Sequence, residues 1–283
     1  MTSIKKVGIL GSGIMGSGLA EVVARAGLDV VVRSRTQAGA DAVLAKVGSG
    51  LARQVAKERM TEEEREAILG RVSVTDHLGQ LADCDLVIES VVEDLEVKRA
   101  LFAELEQIVK PEGILATNTS TLPVVELAMM TQRPSQVCGI HFFNPAPAMS
   151  LVEIIRPLTA SDETITAAAS FVEACGKNAV HVEDRAGFIV NALLFPYLNN
   201  AVRMLQNGTA SMDDIDAAMI GGCNFPMGPF ALLDLVGLDT SVSILDALYA
   251  EFSDANYAAV PLLRRMVAAG HLGRKTKQGF RTY

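Results

Sequence analysis

Short apolar runs alternate with segments of helical spacing from the start of the chain to residue 185. Residues 4–10 (IKKVGIL) are rich in β-branched and aliphatic side chains and lead into Gly11, after which apolar residues recur at helical spacing over 14–26. This pattern predicts a strand, a glycine turn and a helix. Further strands are predicted over 30–33, 72–75, 86–89, 114–117, 137–141, 151–155 and 179–182. The alternation indicates an α/β fold with a mostly parallel sheet that helices cover on both faces.

The alternation stops near residue 185, and the rest of the chain carries helical patterns punctuated by glycine and proline. The change predicts two domains, one over 1–185 and an all-helical one over 186–283. The apolar residues over 189–198, 230–238 and 262–267 exceed what one short bundle needs. Part of this apolar surface is therefore expected to form the interface of a homodimer.

Composition narrows the classes of function. The 283 residues are 49% hydrophobic and 20% charged, which is typical of a globular protein and excludes a disordered or collagen-like chain. A formal net charge of −8 speaks against binding nucleic acid through a broad basic surface. The four cysteines are too widely spaced for a metal or redox pair, so reduced thiols, a cytoplasmic location and no metal site are expected. No apolar run approaches the roughly 18 residues of a membrane span, so no membrane partner is expected.

A glycine loop lies directly between the first strand and the first helix. Gly11, Gly13 and Gly16 match the pattern Gly-x-Gly-x-x-Gly, with Ile14 and Met15 between the last two. The first glycine permits the tight turn, the second lets the backbone approach a pyrophosphate, and the third lets the helix pack on the strand. The helix N-terminus attracts the anion. The loop predicts a Rossmann-type, doubly wound domain that binds a dinucleotide, and a glycine-rich turn without a ligand is the alternative.

The end of the second strand distinguishes between the two nicotinamide dinucleotides. A carboxylate there usually bonds the ribose 2′-hydroxyl of NAD, whereas an arginine accommodates the 2′-phosphate of NADP. Here the strand runs into Arg33, Ser34, Arg35 and Thr36, without an acid. Two guanidinium groups and two hydroxyls suit a phosphate, so NADP is favoured over NAD. The alternative is that Arg33 and Arg35 lie on a surface turn, where at most one of them reaches the ligand.

Polar residues follow the predicted strand at 114–117, where the carboxyl ends of parallel strands meet a ligand crevice. The run over 116–121 (ATNTST) contains Asn118 and Ser120. Such residues can contact a ligand, and they can equally form a turn and cap the next helix. Asn191, a polar residue in the apolar run over 187–191 (GFIVN), also leaves two alternatives. It is either a buried core amide or a donor that faces the crevice.

His141 stands at the predicted end of a strand, followed by Phe, Phe, Asn and Pro. A lone histidine at such a position is most often structural. The nearby strand over 151–155 carries Glu153, and two strands in register would bring this carboxylate to one imidazole nitrogen. The other nitrogen would then be a general base near neutral pH, suited to removing a proton from an alcohol. His77, His181 and His271 lack this setting and are expected at the surface.

Taken together and in this order, the motifs resemble those of the 3-hydroxyacyl-CoA dehydrogenase family and, within it, the short single-function 3-hydroxybutyryl-CoA dehydrogenases. The resemblance covers nearly the whole chain. Beside the glycine loop it rests on 85–93 (DLVIESVVE), 116–120 (ATNTS), 141–145 (HFFNP), 151–155 (LVEII), 187–191 (GFIVN), 214–216 (DID), 226–229 (PMGP), 234–239 (DLVGLD) and 272–280 (LGRKTKQGF).

The resemblance implies the catalytic roles. His141 is the general base that takes the proton of the 3-hydroxyl of an acyl-CoA substrate, and Glu153 orients it and stabilises the imidazolium. The hydride passes from C3 to the nicotinamide, as expected for the L (3S) stereoisomer. Ser120 and Asn191 hold the substrate oxygen. Preorganised donors and a positioned base are what such a transfer requires.

The resemblance also implies cofactor contacts. Glu93, Lys98 and Asn144 match family residues at the nicotinamide end of the cofactor, and Asn118 and Ser120 are expected beside it. Family members that use NAD usually keep an acid at the position of Ser34.

The segment over 53–59 (RQVAKER) resembles the helical region whose residues contact CoA. Lys57 is the best single match for a CoA contact, and a solvated helix face is the alternative. Neither the acyl-chain length nor the choice between CoA and an acyl-carrier protein follows from these residues.

Two other classes of function compete. A β-hydroxyacid dehydrogenase of the 3-hydroxyisobutyrate type begins with a similar glycine loop and relies on a lysine in a Gly-x-x-Gly-x-Gly-x-x-x-Lys pattern, which this chain lacks. A non-catalytic dinucleotide-binding protein would share the fold. A pure binder, however, has no evident need for Ser120, His141, Glu153 and Asn191 together.

Overall fold

The computed structural model describes residues 4–283, so the first three residues of the predicted domain over 1–185 lie outside the described part. The chain forms two compact units, the first ending at Asp184 and the second running from Arg185 to Tyr283. Each unit has its own hydrophobic core.

The first unit is built on an eight-stranded sheet of the described residues, in the order β3-β2-β1-β4-β5-β6-β7-β8. The strands are β1 (Lys6–Leu10), β2 (Asp29–Arg33), β3 (Val72–Thr75), β4 (Leu86–Glu89), β5 (Ile114–Thr117), β6 (Val137–Phe142), β7 (Leu151–Arg156) and β8 (Asn178–Glu183). Neighbouring strands are parallel except for β6 and β7. The helices are α1 (Ile14–Arg25), α2 (Gln37–Val55), α3 (Glu62–Leu69), α4 (Leu95–Ile108), α5 (Val124–Ala128) and α6 (Asp162–Ala174).

The order of the first six strands is that of a doubly wound dinucleotide-binding fold, which confirms the predicted fold class. The chain winds in opposite directions from β1, toward β2 on one side and β4 on the other. In such sheets the ligand crevice opens at the carboxyl ends of the strands, beside this switch point. The central strands β4, β5 and β6 are buried along their whole length, which explains their unbroken apolar runs.

Local signals set several element ends. Thr61 caps α3 in a capping box: its Oγ1 accepts from the Glu64 amide at 3.2 Å, and the Glu64 carboxylate accepts from the Thr61 amide at 2.8 Å.

The predicted strands over 137–141 and 151–155 each extend one residue further, to Phe142 and Arg156.

The second unit consists of helices, as the pattern after residue 185 predicts. They are α7 (Val190–Gln206), α8 (Met212–Cys223), α9 (Pro229–Val236), α10 (Leu238–Phe252) and α11 (Pro261–Ala268). Their core is apolar and includes the fully buried Phe230 and Leu233 of α9. The carboxylate of Asp234, also on α9, accepts hydrogen bonds from the amides of Phe280 and Arg281 at 2.8 Å. This motif residue therefore anchors the C-terminal segment.

The four cysteines form no disulfide bonds with one another. All four are free thiols, and burial raises the pKa of Cys138 to about 12 and that of Cys84 to about 11. Within residues 4–283 no three His, Cys, Asp or Glu side chains converge as a metal site, and no helix has the length and apolar character to cross a membrane.

Candidate active site

The glycine loop has the close backbone contacts that its motif requires. A Cβ on Gly11, whose φ is 124°, would lie 2.2 Å from the carbonyl oxygen of Ser90, and one on Gly16 would lie 1.9 Å from that of Gly11. Gly13 caps the N-terminus of α1, and a Cβ there would meet no described atom within 4 Å. The first two contacts exclude side chains, while the open space at Gly13 leaves the helix N-terminus accessible to an anion.

The end of β2 carries the residues expected around a 2′-phosphate. Ser34 is buried, and its hydroxyl donates to the Ser12 hydroxyl at 2.9 Å. Thr36 caps α2, where its side chain accepts from the Gly39 amide. The hydroxyls of Ser34 and Thr36 thus have protein partners.

Arg33 and Arg35 differ in how far their side chains are exposed. Arg33 is half-buried, and its Nε donates to the Asp76 carbonyl oxygen at 3.3 Å. Arg35 is exposed. Strand β2 ends at Arg33, so Arg35 lies in the turn that follows the strand.

His141 and Glu153 lie directly opposite each other in the antiparallel pair of β6 and β7. The Nδ1 atom of His141 lies 2.8 Å from Oε2 of Glu153, and its Nε2 atom lies 3.3 Å from Oγ of Ser120. His141 is 4% exposed and Glu153 is fully buried. The geometry thus joins three of the expected catalytic residues, with a carboxylate on one imidazole nitrogen and a hydroxyl on the other.

Ser120 is held by the carboxylate of Glu93. Oε1 of this carboxylate accepts from the Ser120 amide at 2.8 Å and from the Thr119 hydroxyl at 2.5 Å. The turn after β5 therefore has a fixed backbone.

Asn118 links two strand ends. Its Oδ1 accepts from the Phe142 amide at 2.8 Å, and its Nδ2 donates to the Ser90 hydroxyl at 3.3 Å. Both ends of this amide have protein partners, so Asn118 ties β5 to β6 whatever else it contacts.

Lys98, which the resemblance places at the nicotinamide end of the cofactor, is held by the carboxylates of Glu89 and Glu93. Its side chain is 1% exposed, and its Nζ donates to both carboxylate oxygens of Glu89 at 2.7 and 2.8 Å. Oε2 of Glu93 lies 3.2 Å from the same ammonium. An ammonium this deeply buried requires carboxylate partners, and Glu89 and Glu93 supply them. Glu89 was not among the expected site residues; its signals in the sequence are an acid at the end of an apolar run and a place in the motif over 85–93.

The loop after β6 carries Asn144, which is exposed. Nζ of Lys177 donates to the carbonyl oxygens of Ala146, Pro147 and Met149 at 2.9, 3.1 and 2.7 Å. Burial lowers the pKa of Lys177. The Lys177 side chain thus holds the backbone of the loop after β6 through three hydrogen bonds.

Lys57 and Asn191 are the other two residues expected to contact the substrate. Helix α2 ends at Val55, and Lys57 is exposed in the following turn, where Glu58 has a φ of 55°. The expected helix over 53–59 is therefore wrong beyond Val55, because the chain enters a left-handed turn that ends the helix. Asn191 belongs to the second unit, where it is the second residue of α7 and 8% exposed.

Comparison with known proteins identifies the family. Residues 6–185 match the model described as 3-hydroxyacyl-CoA dehydrogenase, NAD binding domain, and residues 187–283 match the model of the C-terminal domain of the same family. A 3-hydroxybutyryl-CoA dehydrogenase of Mycobacterium tuberculosis is 45% identical over 283 residues, which cover 99% of each chain. One of Bradyrhizobium diazoefficiens is 46% identical over 280 residues, covering 99% of this chain and 96% of the relative.

A solved structure agrees with these relatives. The crystal structure of (S)-3-hydroxybutyryl-CoA dehydrogenase PaaH1 from Ralstonia eutropha superimposes with a TM-score of 0.97 at 41% identity, over 99% of both chains. The motif-based resemblance is thus confirmed, and the chain belongs to the 3-hydroxyacyl-CoA dehydrogenase family.

Proposed function

We propose that this protein interconverts (3S)-3-hydroxybutyryl-CoA and acetoacetyl-CoA by hydride transfer to or from a nicotinamide dinucleotide, with NADP preferred to NAD. The contact of His141 with Glu153 and Ser120 carries the proposal, because it supplies a supported base at a strand end of a dinucleotide-binding fold. The names of the full-length relatives support the four-carbon acyl-CoA substrate.

Residues of the first unit are proposed to bind the dinucleotide. The open space at Gly13 and the N-terminus of α1 fit a pyrophosphate. Asn144 and the turn from Asn118 to Ser120 lie at carboxyl ends of strands, where the nicotinamide end would lie. When bound, the oxidised dinucleotide accepts the hydride from C3.

In the oxidation direction, Nε2 of His141 accepts the proton of the 3-hydroxyl as the C3–H bond breaks. The Glu153 carboxylate accepts a hydrogen bond from Nδ1–H, which selects the tautomer and stabilises the imidazolium. The Ser120 hydroxyl, already within 3.3 Å of Nε2, holds the substrate oxygen beside the base. Asn191 is proposed to donate to the same oxygen, and Lys57 to contact CoA. In reduction the proton returns from the imidazolium to the forming alkoxide.

The proposed domain roles follow the two predicted segments. Residues 1–185 would bind the cofactor, and 186–283 would bind substrate and form a homodimer, in a cytoplasmic protein.

The first test is the initial rate of acetoacetyl-CoA reduction with NADPH and with NADH, followed by loss of cofactor absorbance. A rate with NADPH that exceeds the rate with NADH supports both parts of the proposal. A preference for NADH would retain the dehydrogenase and overturn the cofactor choice. If neither acetoacetyl-CoA nor longer 3-oxoacyl thioesters react while the dinucleotide still binds, the protein is a non-catalytic binder.

Replacement of the base or of its support should abolish turnover but spare the cofactor site. We expect His141→Ala and Glu153→Gln to lower kcat by about 100- to 10,000-fold, because proton transfer and its support contribute on that scale. Dinucleotide affinity, measured by fluorescence titration, should stay within a factor of about three of the parent value, since neither residue carries the pyrophosphate site. Near-normal turnover in either variant would remove the pair from the mechanism.

Arg35 is proposed to bind the 2′-phosphate of NADP. We expect Arg35→Ala to weaken NADPH binding by roughly 10- to 100-fold, the scale of a lost charge-assisted hydrogen bond, and to leave NADH binding nearly unchanged. Arg33 is the comparison for Arg35, because Arg33 is half-buried and its Nε already donates to the backbone carbonyl oxygen of Asp76. Equal losses for both dinucleotides in Arg35→Ala would contradict the phosphate role.

Exposed apolar residues of the second unit support the homodimer. Leu193, Leu235 and Phe225 are 72%, 49% and 42% exposed. A second copy would remove such side chains from water. Sedimentation equilibrium should give twice the mass of 30.1 kDa, and Leu193→Lys should shift the equilibrium toward monomer. A monomer at micromolar concentration would exclude the dimer.

A further inference from the structure

A buried polar cluster lies at the ends of β4 and β5 and on α4. It consists of Glu89, Thr117 and Lys98, whose exposed fractions are 0%, 0% and 1%. The Glu89 carboxylate accepts from Nζ of Lys98 at 2.7 and 2.8 Å and from Oγ1 of Thr117 at 2.8 Å. It also accepts from the Val91 amide at 2.6 Å. We refer to Glu89, Thr117 and Lys98 as the buried triad.

A contribution to the stability of the fold does not by itself explain why these three polar residues are buried together. Removing a carboxylate and an ammonium from water is costly, and well-packed apolar residues in the same space are often as stable or more so. The triad members have almost no exposed surface of their own. What they can do is hold neighbouring groups in one geometry.

Two hydrogen-bonded routes lead from the triad to the turn that carries Ser120. In the first, Oγ1 of Thr117 donates to Glu89 and accepts from the Thr119 amide at 3.2 Å. In the second, Nζ of Lys98 lies 3.2 Å from one oxygen of Glu93. The other oxygen of Glu93 accepts from the Thr119 hydroxyl and the Ser120 amide. Both routes thus end at the residues that place the Ser120 hydroxyl 3.3 Å from His141.

We propose that Glu89, Thr117 and Lys98 are positioning residues, which hold the turn at Thr119 and Ser120 so that the Ser120 hydroxyl stays at the base His141. The inference rests on the proposed dehydrogenase function, in which this hydroxyl holds the reacting oxygen. Lys98 then acts by holding the carboxylate of Glu93, and Glu89 acts by holding the Lys98 side chain in place.

Thr117 offers the cleanest test because valine matches its shape and serine keeps its hydroxyl. We expect Thr117→Val to lower kcat for acetoacetyl-CoA reduction by about tenfold, the scale of one hydrogen bond to a charged group, with KM for the thioester and the affinity for dinucleotide changed less than about twofold. Thr117→Ser, which removes only a methyl group, should recover kcat to within about threefold of the parent because the hydrogen bonds can re-form.

Glu89→Gln tests the same cluster through its charge, and Glu106→Gln is the matched control. Glu106 pairs with Arg133 at 3.0 Å, with side chains 14% and 10% exposed, and neither residue is part of the two routes. We expect a large loss of kcat in Glu89→Gln and none in Glu106→Gln, with rates corrected for the folded fraction from urea unfolding. If Glu89→Gln does not fold, the two Thr117 variants decide.

Amide hydrogen exchange supplies a readout that does not need activity. Exchange at Thr119 and Ser120 should be faster in Thr117→Val than in the parent and should return toward the parent rate in Thr117→Ser. If kcat and exchange in Thr117→Val both match the parent, or if serine is as impaired as valine, the positioning role is wrong. An inactive parent protein would instead overturn the proposed function, and the exchange rates would still decide whether the triad holds the turn.

Discussion

The antiparallel pairing of β6 with β7 is the interaction on which the candidate site depends. The other neighbouring pairs of the described sheet are parallel, but here the two strands run in opposite directions and place His141 opposite Glu153. Side chains of directly opposed residues lie on the same face and within reach of each other. A slip of one residue would turn the carboxylate to the other face of the sheet. The 2.8 Å contact is therefore maintained by the hydrogen bonds of two whole strands.

The same sheet explains why polar groups gather at one edge. Its central strands are covered on both faces and carry apolar residues, so polar side chains are confined to the strand ends. Glu89, Thr117 and His141 all stand at or near such ends. Because buried polar groups must find partners, they bond to one another and to the turns that follow. The need to satisfy buried groups thus produces a connected set of hydrogen bonds beside the reacting position.

Much of the fold could be predicted because its signals are local. The glycine loop, the capping box of Thr61 and the change of pattern near residue 185 each lie within a few residues of the feature they define. Features that could not be predicted are those where the deciding contact was distant or weakly coded. Lys98 looks like an ordinary solvated lysine on a helix, and only the packing of α4 on β4 gives it Glu89 as a partner. Lys57 follows residues with helical spacing, and no glycine or proline marks the end of α2 before it.

The sequence by itself determined the class of fold, the dinucleotide loop, the family and the short set of residues that includes His141, Glu153 and Ser120. Periodicity and motif spacing carry this information, since they reflect backbone geometry over a few residues. Only the tertiary structure decided that Glu89 and Thr117 bond to each other, that Glu93 holds the Ser120 backbone, and that Lys98 points inward. These are contacts between residues on different strands, helices and turns, and their energies depend on burial, which exists only after the sheet and its helices have packed.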